Sequence, residues 1–362
     1  MMNKRLPARH ARLLALASVF VTLLAAPADA QLPNAQIGEA VPRDVREVYQ
    51  KGLDYLLSIQ KEDGSFGSGT YGGAGVSGMG VMVFLASGED PNFGRYSGAI
   101  RKAVRFIVRN QDKTTGILGG RTSHTSMYNH GFAMLALSEV YGAIDERTLW
   151  RESGDVPADE RRSVGQALEL AVRASITSQK KNKHGGWRYG PDATDADTSV
   201  SGAVLVGLLA ARNAGIEVPD EAIDRAITYF QSMTSDSGQV AYSGVGGFGV
   251  SVPRQSIACL VYALARRKDV KQFNATLGAL TSDLGSASSG SYLEYGRYYE
   301  AQALFHGDVE SWKKWNERLV RELKSTQKAN GSFQASNGPE VGTCLNLLGL
   351  ALNYRFLPIY ER

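Results

Sequence analysis

The sequence predicts an all-α fold, an (α/α)6 toroid in which six helical hairpins form a closed double ring. Three observations carry that prediction. Segments of roughly 50 residues recur along the chain, the spacing at which repeat architectures announce themselves. Each splits into an amphipathic helix and a second helix that is apolar around most of its circumference, and a helix of the second kind must be buried on most faces. Neither the first nor the last repeat is more polar than the others, whereas an open solenoid needs polar caps, so closure is favoured.

The first repeat is "KGLDYLLSIQKEDGSFG", Lys51 to Gly67; with Val48 just ahead of it, Leu53, Leu56, Leu57 and Ile59 recur at helical spacing before the turn at Asp63-Gly64. Its partner is "VSGMGVMVFLA". "KAVRFIVRNQDKTTGIL" (Lys102 to Leu118) with "YNHGFAMLALSEVYG" forms the second pair, followed by a polar, loop-like insertion, "DERTLWRESGDVPADERR". "LAVRASITSQKKNKHGGW" (Leu170 to Trp187) with "TSVSGAVLVGLLAAR" is the third, and "RAITYFQSMTSDSGQV" (Arg225 to Val240) with "RQSIACLVYALARR" the fourth. The fifth is weaker: "FNATLGALTSDLGS" (Phe273 to Ser286) with "YYEAQALF". "RLVRELKSTQKANGSF" (Arg318 to Phe333) with "EVGTCLNLLGLAL" completes the set. The repeats make residues 48–362 one domain.

Ahead of it, Lys4, Arg5, Arg9 and Arg12 precede an apolar run from Leu13 to Ala26 and the small-x-small triplet Ala28-Asp29-Ala30. That is the pattern of a secretory signal peptide over residues 1–30, cleaved near Ala30-Gln31, with 31–47 as a linker. The run is too short to span a bilayer, and no other stretch is long and apolar enough, so a secreted or periplasmic protein is expected. Without residues 1–30 the chain holds 36 basic against 35 acidic residues. A near-neutral chain gives no reason to expect nucleic acid. Cys259 and Cys344 each lie within an apolar run, as buried free thiols do, and no thiolate cluster suggests a metal.

Gln60, Gln111, Gln179 and Gln327 occupy one place in four repeats. Lys51-Gly52-x-x-Tyr55-Leu56-x-x-x-Gln60-x-x-x-Gly64-x-Phe66 resembles the QW motif of the prenyltransferase and squalene-cyclase repeat family. Gln327-x-x-x-Gly331-x-Phe333 and Gln179 with Gly185 and Trp187 are similar to further copies, and Gln111 with Gly116 to a degraded one. The resemblance implies that glutamine and aromatic tie one outer helix to the next. It also implies that inner-helix N-termini line the mouth of a central cavity, a setting that favours anions. The residues at those starts are Ser77, Tyr128 with His130, Asp195 with Asp197, Arg254 with Gln255, Tyr298 with Tyr299 and Glu300, and Glu340.

Within that family, class II terpene cyclases carry Asp-x-Asp-Asp-Thr-Ala with the middle Asp as general acid. "TDADTSV" departs from this in either register, leaving Ala196 at the acid's place or Thr198 in place of the following Asp. Asp197 also precedes the apolar run from Val200, where an Asp caps exposed N–H groups. The zinc site of the protein prenyltransferases is not matched, since Gly342 stands where its His would and no Asp-x-Cys occurs. No cofactor is expected. Neither cysteine lies in a Cys-Gly-Glu-Gln thioester context.

The candidate catalytic residues are therefore Asp195 and Asp197. Tyr128, His130, Arg254, Tyr298, Tyr299 and Glu300 are the candidate binding residues, Arg254 for an anion and the tyrosines as flat walls or cation-stabilising rings. The expected function is a binding scaffold that uses the mouth for an apolar small molecule, a glycan or a peptide. Alternatives are a terpene-cyclase-like enzyme with Asp197 as acid, or a polysaccharide-active enzyme pairing Asp195 or Asp197 with Glu300.

Overall fold

Alternation of one-faced and all-round apolar helices leaves two radii at which the chain can pack. A computed structural model describes residues 41–67, 73–120, 124–151, 156–244, 246–282, 284 and 292–360. The expected signal peptide and most of the expected linker lie outside them. Among the described residues there are thirteen α-helices: α1 (Arg43–Ile59), α2 (Ala74–Ala86), α3 (Ser97–Arg109), α4 (Ser126–Val140), α5 (Glu146–Leu149), α6 (Val164–Gln179), α7 (Thr198–Asn213), α8 (Asp220–Ser232), α9 (Val252–Leu264), α10 (Lys271–Ser282), α11 (Leu293–Gly307), α12 (Val309–Thr326) and α13 (Pro339–Leu350). The first begins at Arg43, inside the expected linker, because its Val45 and Val48 are already buried.

Helices α2, α4, α7, α9, α11 and α13 pack in that order, and α13 returns to α2. They form the inner ring of an α/α toroid, with α1, α3, α6, α8, α10 and α12 outside. Burial follows the two radii. Every residue of α2 is buried, whereas α3 buries Ala99, Ile100, Ala103, Val104, Ile107 and Val108, one face at helical spacing. Inner neighbours approach through small residues. A Cβ at Gly131 of α4 would stand 2.6 Å from the Ala203 carbonyl of α7, so only glycine admits this contact.

The outer ring is stapled by its glutamines. Gln60 Nε2 donates to the Gly64 carbonyl of its own turn and to Ala99 of α3. Gln111 does the same to Gly116 and Ala167 of α6, and Gln179 to Gly185 and Ala222 of α8. Gln327 donates to Gly331 and to Val48 of α1, which closes the circle. The turn glycine is obligatory for two reasons. At Gly64 φ is +96°, a left-handed value, and a Cβ would lie 2.2 Å from the Lys102 carbonyl.

Rings from opposite sides of the inner circle meet across its axis. Phe132 of α4 lies 5.7 Å from Tyr298 and 6.5 Å from Tyr295 of α11, centroid to centroid. At the end away from the inner-helix N-termini, Leu357, Ile359 and Tyr360 are buried, and the Ile359 amide donates to Glu139 Oε2. Within the polar insertion the described residues include a short helix, α5, where the sequence reads as loop. Asp145 caps α5 through the Arg147 amide, and Arg105 donates to the Leu149 carbonyl, which holds α5 against α3.

Candidate active site at the toroid mouth

Three cross-links between neighbouring loops build the mouth. The Asp197 amide donates to Trp187 O at 2.9 Å, Thr198 to Tyr242 O at 2.9 Å and Met127 to Tyr189 O at 3.0 Å. They bring Arg188, Tyr189 and Tyr242 around the start of α7. Trp187 is buried and anchors the first of these strips, its amide on Ser201 Oγ and its indole N–H on the Ser175 carbonyl.

Asp197 caps α7. Its Oδ1 accepts from the Val200 amide at 2.9 Å, whereas Oδ2 is buried without a hydrogen bond. The nearest cationic atom to Oδ2 is Arg188 Nε at 3.7 Å. Burial dominates the carboxyl's titration and raises it to about 6, against the lowering influence of the Val200 amide and Arg188. Asp195 differs: it is exposed and receives Arg188 Nη1 at 2.7 Å. One guanidinium thus bridges both carboxylates while stacking on Tyr189 and Tyr242, 5.2 and 5.8 Å from their centroids. A cavity of about 240 Å³ adjoins this cluster, lined by His184, Arg188, Asp195, Tyr229, Ser243 and Gly244 among others.

On the axial side of Asp197 stand tyrosines. Tyr295 donates to the Ser199 carbonyl and packs edge-on against Tyr128 at 6.1 Å. Tyr128 in turn lies 6.3 Å from Tyr189. Burial raises the hydroxyls of Tyr128 and Tyr295 well above their ordinary value, so both stay neutral donors.

Of the residues expected from sequence, the structure brings Asp195, Asp197, Tyr128 and Arg254 to the mouth and moves four others away. His130 is fully buried between α4 and α6. Its Nδ1 accepts from the Leu118 amide, which leaves Nε2 to face Ala171 O and Ser175 Oγ. Burial lowers its pKa to about 4, making it a neutral brace and not a ligand. Helix α11 begins at Leu293, so Tyr298 and Tyr299 lie more than a turn inside it and pack on the ring axis, 4.8 Å apart. Glu300 turns outward to α12, where Trp315 and Arg318 are its partners. It cannot pair with Asp195 or Asp197.

Sequence reasoning missed Arg188, Tyr189 and Tyr242. Arg188 and Tyr189 directly follow the conspicuous Gly186-Trp187, and that adjacency to Asp197 was the available signal. Among the described residues no three His, Cys, Asp or Glu side chains gather where a metal ion could bind. No described helix is long and apolar enough to cross a membrane.

No protein-family model and no curated protein sequence matches the chain. Solved structures do. The α-1,6-mannanase GH76A of Salegentibacter sp. HEL1_6, in an inactive form bound to α-1,6-mannotriose, superposes with a TM-score of 0.57 at 10% identity, covering 85% of this chain and 99% of that one. A family 76 glycoside hydrolase from a bovine Bacteroides thetaiotaomicron strain gives 0.56 at 10% identity, over 86% and 77%. A variant of the type II terpene cyclase MstE from Scytonema, bound to geranylgeranyl dihydroxybenzoate, gives 0.54 at 12% identity, over 87% and 98%. At such identities the likeness is one of fold.

Proposed function

We propose that this protein is a glycan-active enzyme working at the toroid mouth, with Asp197 as general acid and Asp195 as the second carboxylate. One observation carries the proposal. Asp197 is a buried carboxyl with one oxygen bonded and the other unbonded, raised to about 6, beside an exposed carboxylate on the same arginine. A buried carboxyl whose titration is pushed up toward neutrality, beside a second, exposed carboxyl group, is the arrangement that glycoside hydrolysis uses. In the step proposed, Asp197 gives its proton to the glycosidic oxygen as the C–O bond breaks. Water adds to the anomeric carbon and passes its proton to Asp195. Oδ2 is buried, with Arg188 Nε 3.7 Å away, so side chains around it have to move for the acid to reach substrate.

Two solved neighbours act on or are classed with glycans, and the inactive form of the mannanase has two consecutive aspartates replaced. Those facts support a carboxylate pair here without assigning its substrate. The cyclase alternative draws on Tyr128 and Tyr295 beside the same acid. Against it stands the aromatic contact between α4 and α11, which packs side chains of facing inner helices together where a long apolar substrate needs open space. The reading includes membership of the QW-repeat family, supported by the four glutamine staples, and export, supported by the leader-like N-terminus.

The test is release of reducing ends by the mature chain from a panel of neutral and acidic polysaccharides. Asp197→Asn, checked for fold by circular dichroism, should lower turnover at least about 100-fold, the usual contribution of a general acid. Binding of a glycan without turnover by the parent chain would return the protein to the scaffold class. Turnover unchanged in Asp197→Asn would remove the acid assignment.

A further inference from the structure

The 240 Å³ cavity at the mouth has a floor and a rim. Ala196, Tyr229 and Met233 make the floor, each at most 4% exposed. Asp195, Ser232 and Gly244 make the rim, and all three are exposed. Protein is packed directly behind the floor. A Cβ on Gly186 would stand 3.0 Å from both Ala196 Cβ and Tyr229 Cδ1, and 2.5 Å from Ser201 Oγ of α7. The cavity is therefore a dead end and not a passage. Its volume lies below the roughly 300–1,000 Å³ of sites that hold drug-sized ligands, which leaves room for one sugar ring. The lining suits such a ring too. A sugar carries C–H groups on its faces and hydroxyls around its edge, and here an apolar floor lies beneath the polar side chains of Arg188, Asp195 and Ser243. The Tyr229 hydroxyl is itself buried, so this tyrosine offers the cavity its ring.

Resting on the glycan-active reading above, we infer that the enzyme is exo-acting: the cavity seats the single sugar at the non-reducing end of a glycan chain, and each cut frees that sugar. Asp195 sets which end enters. In the reading above it accepts the proton of the water that attacks the anomeric carbon, and it stands on this rim, so the seated ring is the one attacked. That ring lies on the non-reducing side of the bond, and the closed floor leaves no place for another sugar beyond it. Each cut consumes one water. The water's hydroxyl stays on the anomeric carbon of the freed sugar, and a proton ends on the new terminal hydroxyl of the shortened chain.

The test uses hexasaccharides prepared from each polysaccharide of the panel above, labelled with a fluorophore at the reducing end and digested with the mature chain. Chromatography of early time points should show the labelled chain losing one sugar at a time, with free monosaccharide as the unlabelled product. Ser232→Trp, a substitution at an exposed rim position, narrows the opening. It should slow this shortening by about 100-fold, the order expected when a reacting bond is displaced by an ångström, with an unchanged melting temperature. The product pattern of the unaltered protein decides the matter if that variant fails to fold. Labelled fragments of intermediate length appearing from the first time point would overturn exo action and leave the glycan-active reading standing. Undiminished shortening by folded Ser232→Trp would likewise remove the cavity as the seat of the terminal sugar. No cleavage of any hexasaccharide or polysaccharide would overturn both.

Discussion

At the scale of single residues, the titration of Asp197 has consequences for stability as well as for the proposed chemistry. Its carboxyl is raised from 3.8 to about 6 by burial, so between those values the folded chain holds a proton that the unfolded chain has released. Unfolding free energy therefore falls as pH rises through that window, by on the order of 2–3 kcal/mol in total. Asp197→Asn keeps a capping oxygen, because Asn and Asp serve equally at an N-cap, and removes the titration. Urea unfolding at pH 4, 5, 6 and 8 should show the difference between parent and variant closing at low pH and opening in the variant's favour above pH 6. A constant difference would mean the burial shift is absent. His130 works in the opposite sense. Its folded pKa of about 4 lies below the ordinary 6.5, so its contribution is intact at neutral pH and is lost as pH falls through that interval. In His130→Gln, which cannot reproduce both ring contacts, stability should be lower at pH 7 and its pH 4–6.5 dependence flatter.

At the scale of elements, the staples make the outer ring testable joint by joint. Gln327→Ala removes both bonds to Val48 and Gly331 and leaves their carbonyls short of a donor, at a cost of about 2 kcal/mol. Gly331→Ala should cost more, about 3 kcal/mol. Its φ is +88° and a Cβ would lie 2.1 Å from the Lys51 carbonyl, which combines left-handed strain with a backbone overlap. Chemical denaturation midpoints rank the two, and the opposite order would mean the turn relaxes freely. The ring architecture was legible because these devices are sequence-local: a glutamine, a glycine a few residues later, and an aromatic beyond it. The start of α11 was misplaced for a physical reason. "LEYGR" carries Gly296, which disfavours a helix in isolation but sits where α11 packs closely on Pro253, 3.1 Å from the would-be Cβ. Asp195 and Asp197 were visible as a pair. Arg188 between them was not, because its role depends on loop cross-links between residues that only the closed ring brings together.

At the scale of the whole molecule, closure couples every hairpin to two neighbours, so the protein should unfold in one transition and not repeat by repeat. The buried C-terminal segment contributes to that unity. Ending the chain at Phe356 exposes the places of Leu357, Ile359 and Tyr360, each of which removes about 1.5–3 kcal/mol of burial, and takes the amide that Glu139 accepts from. A scanning calorimetry trace should move to distinctly lower temperature while staying a single peak. An unchanged midpoint would show that the base of the ring is sealed without the segment. The bond from Gln327 to Val48 has one further implication, for how the chain comes to be folded at all. It joins residues 279 positions apart, and the inner ring likewise lacks its last member until α13 has been made. A chain threaded N-terminus first through a membrane would hold its early helices unpartnered at the seam until nearly all of it had crossed, since non-local contacts reward the chain only after the intervening loop is closed. The first hairpins therefore stay without their closing partner until α13 has been made, whatever the route by which the chain is delivered.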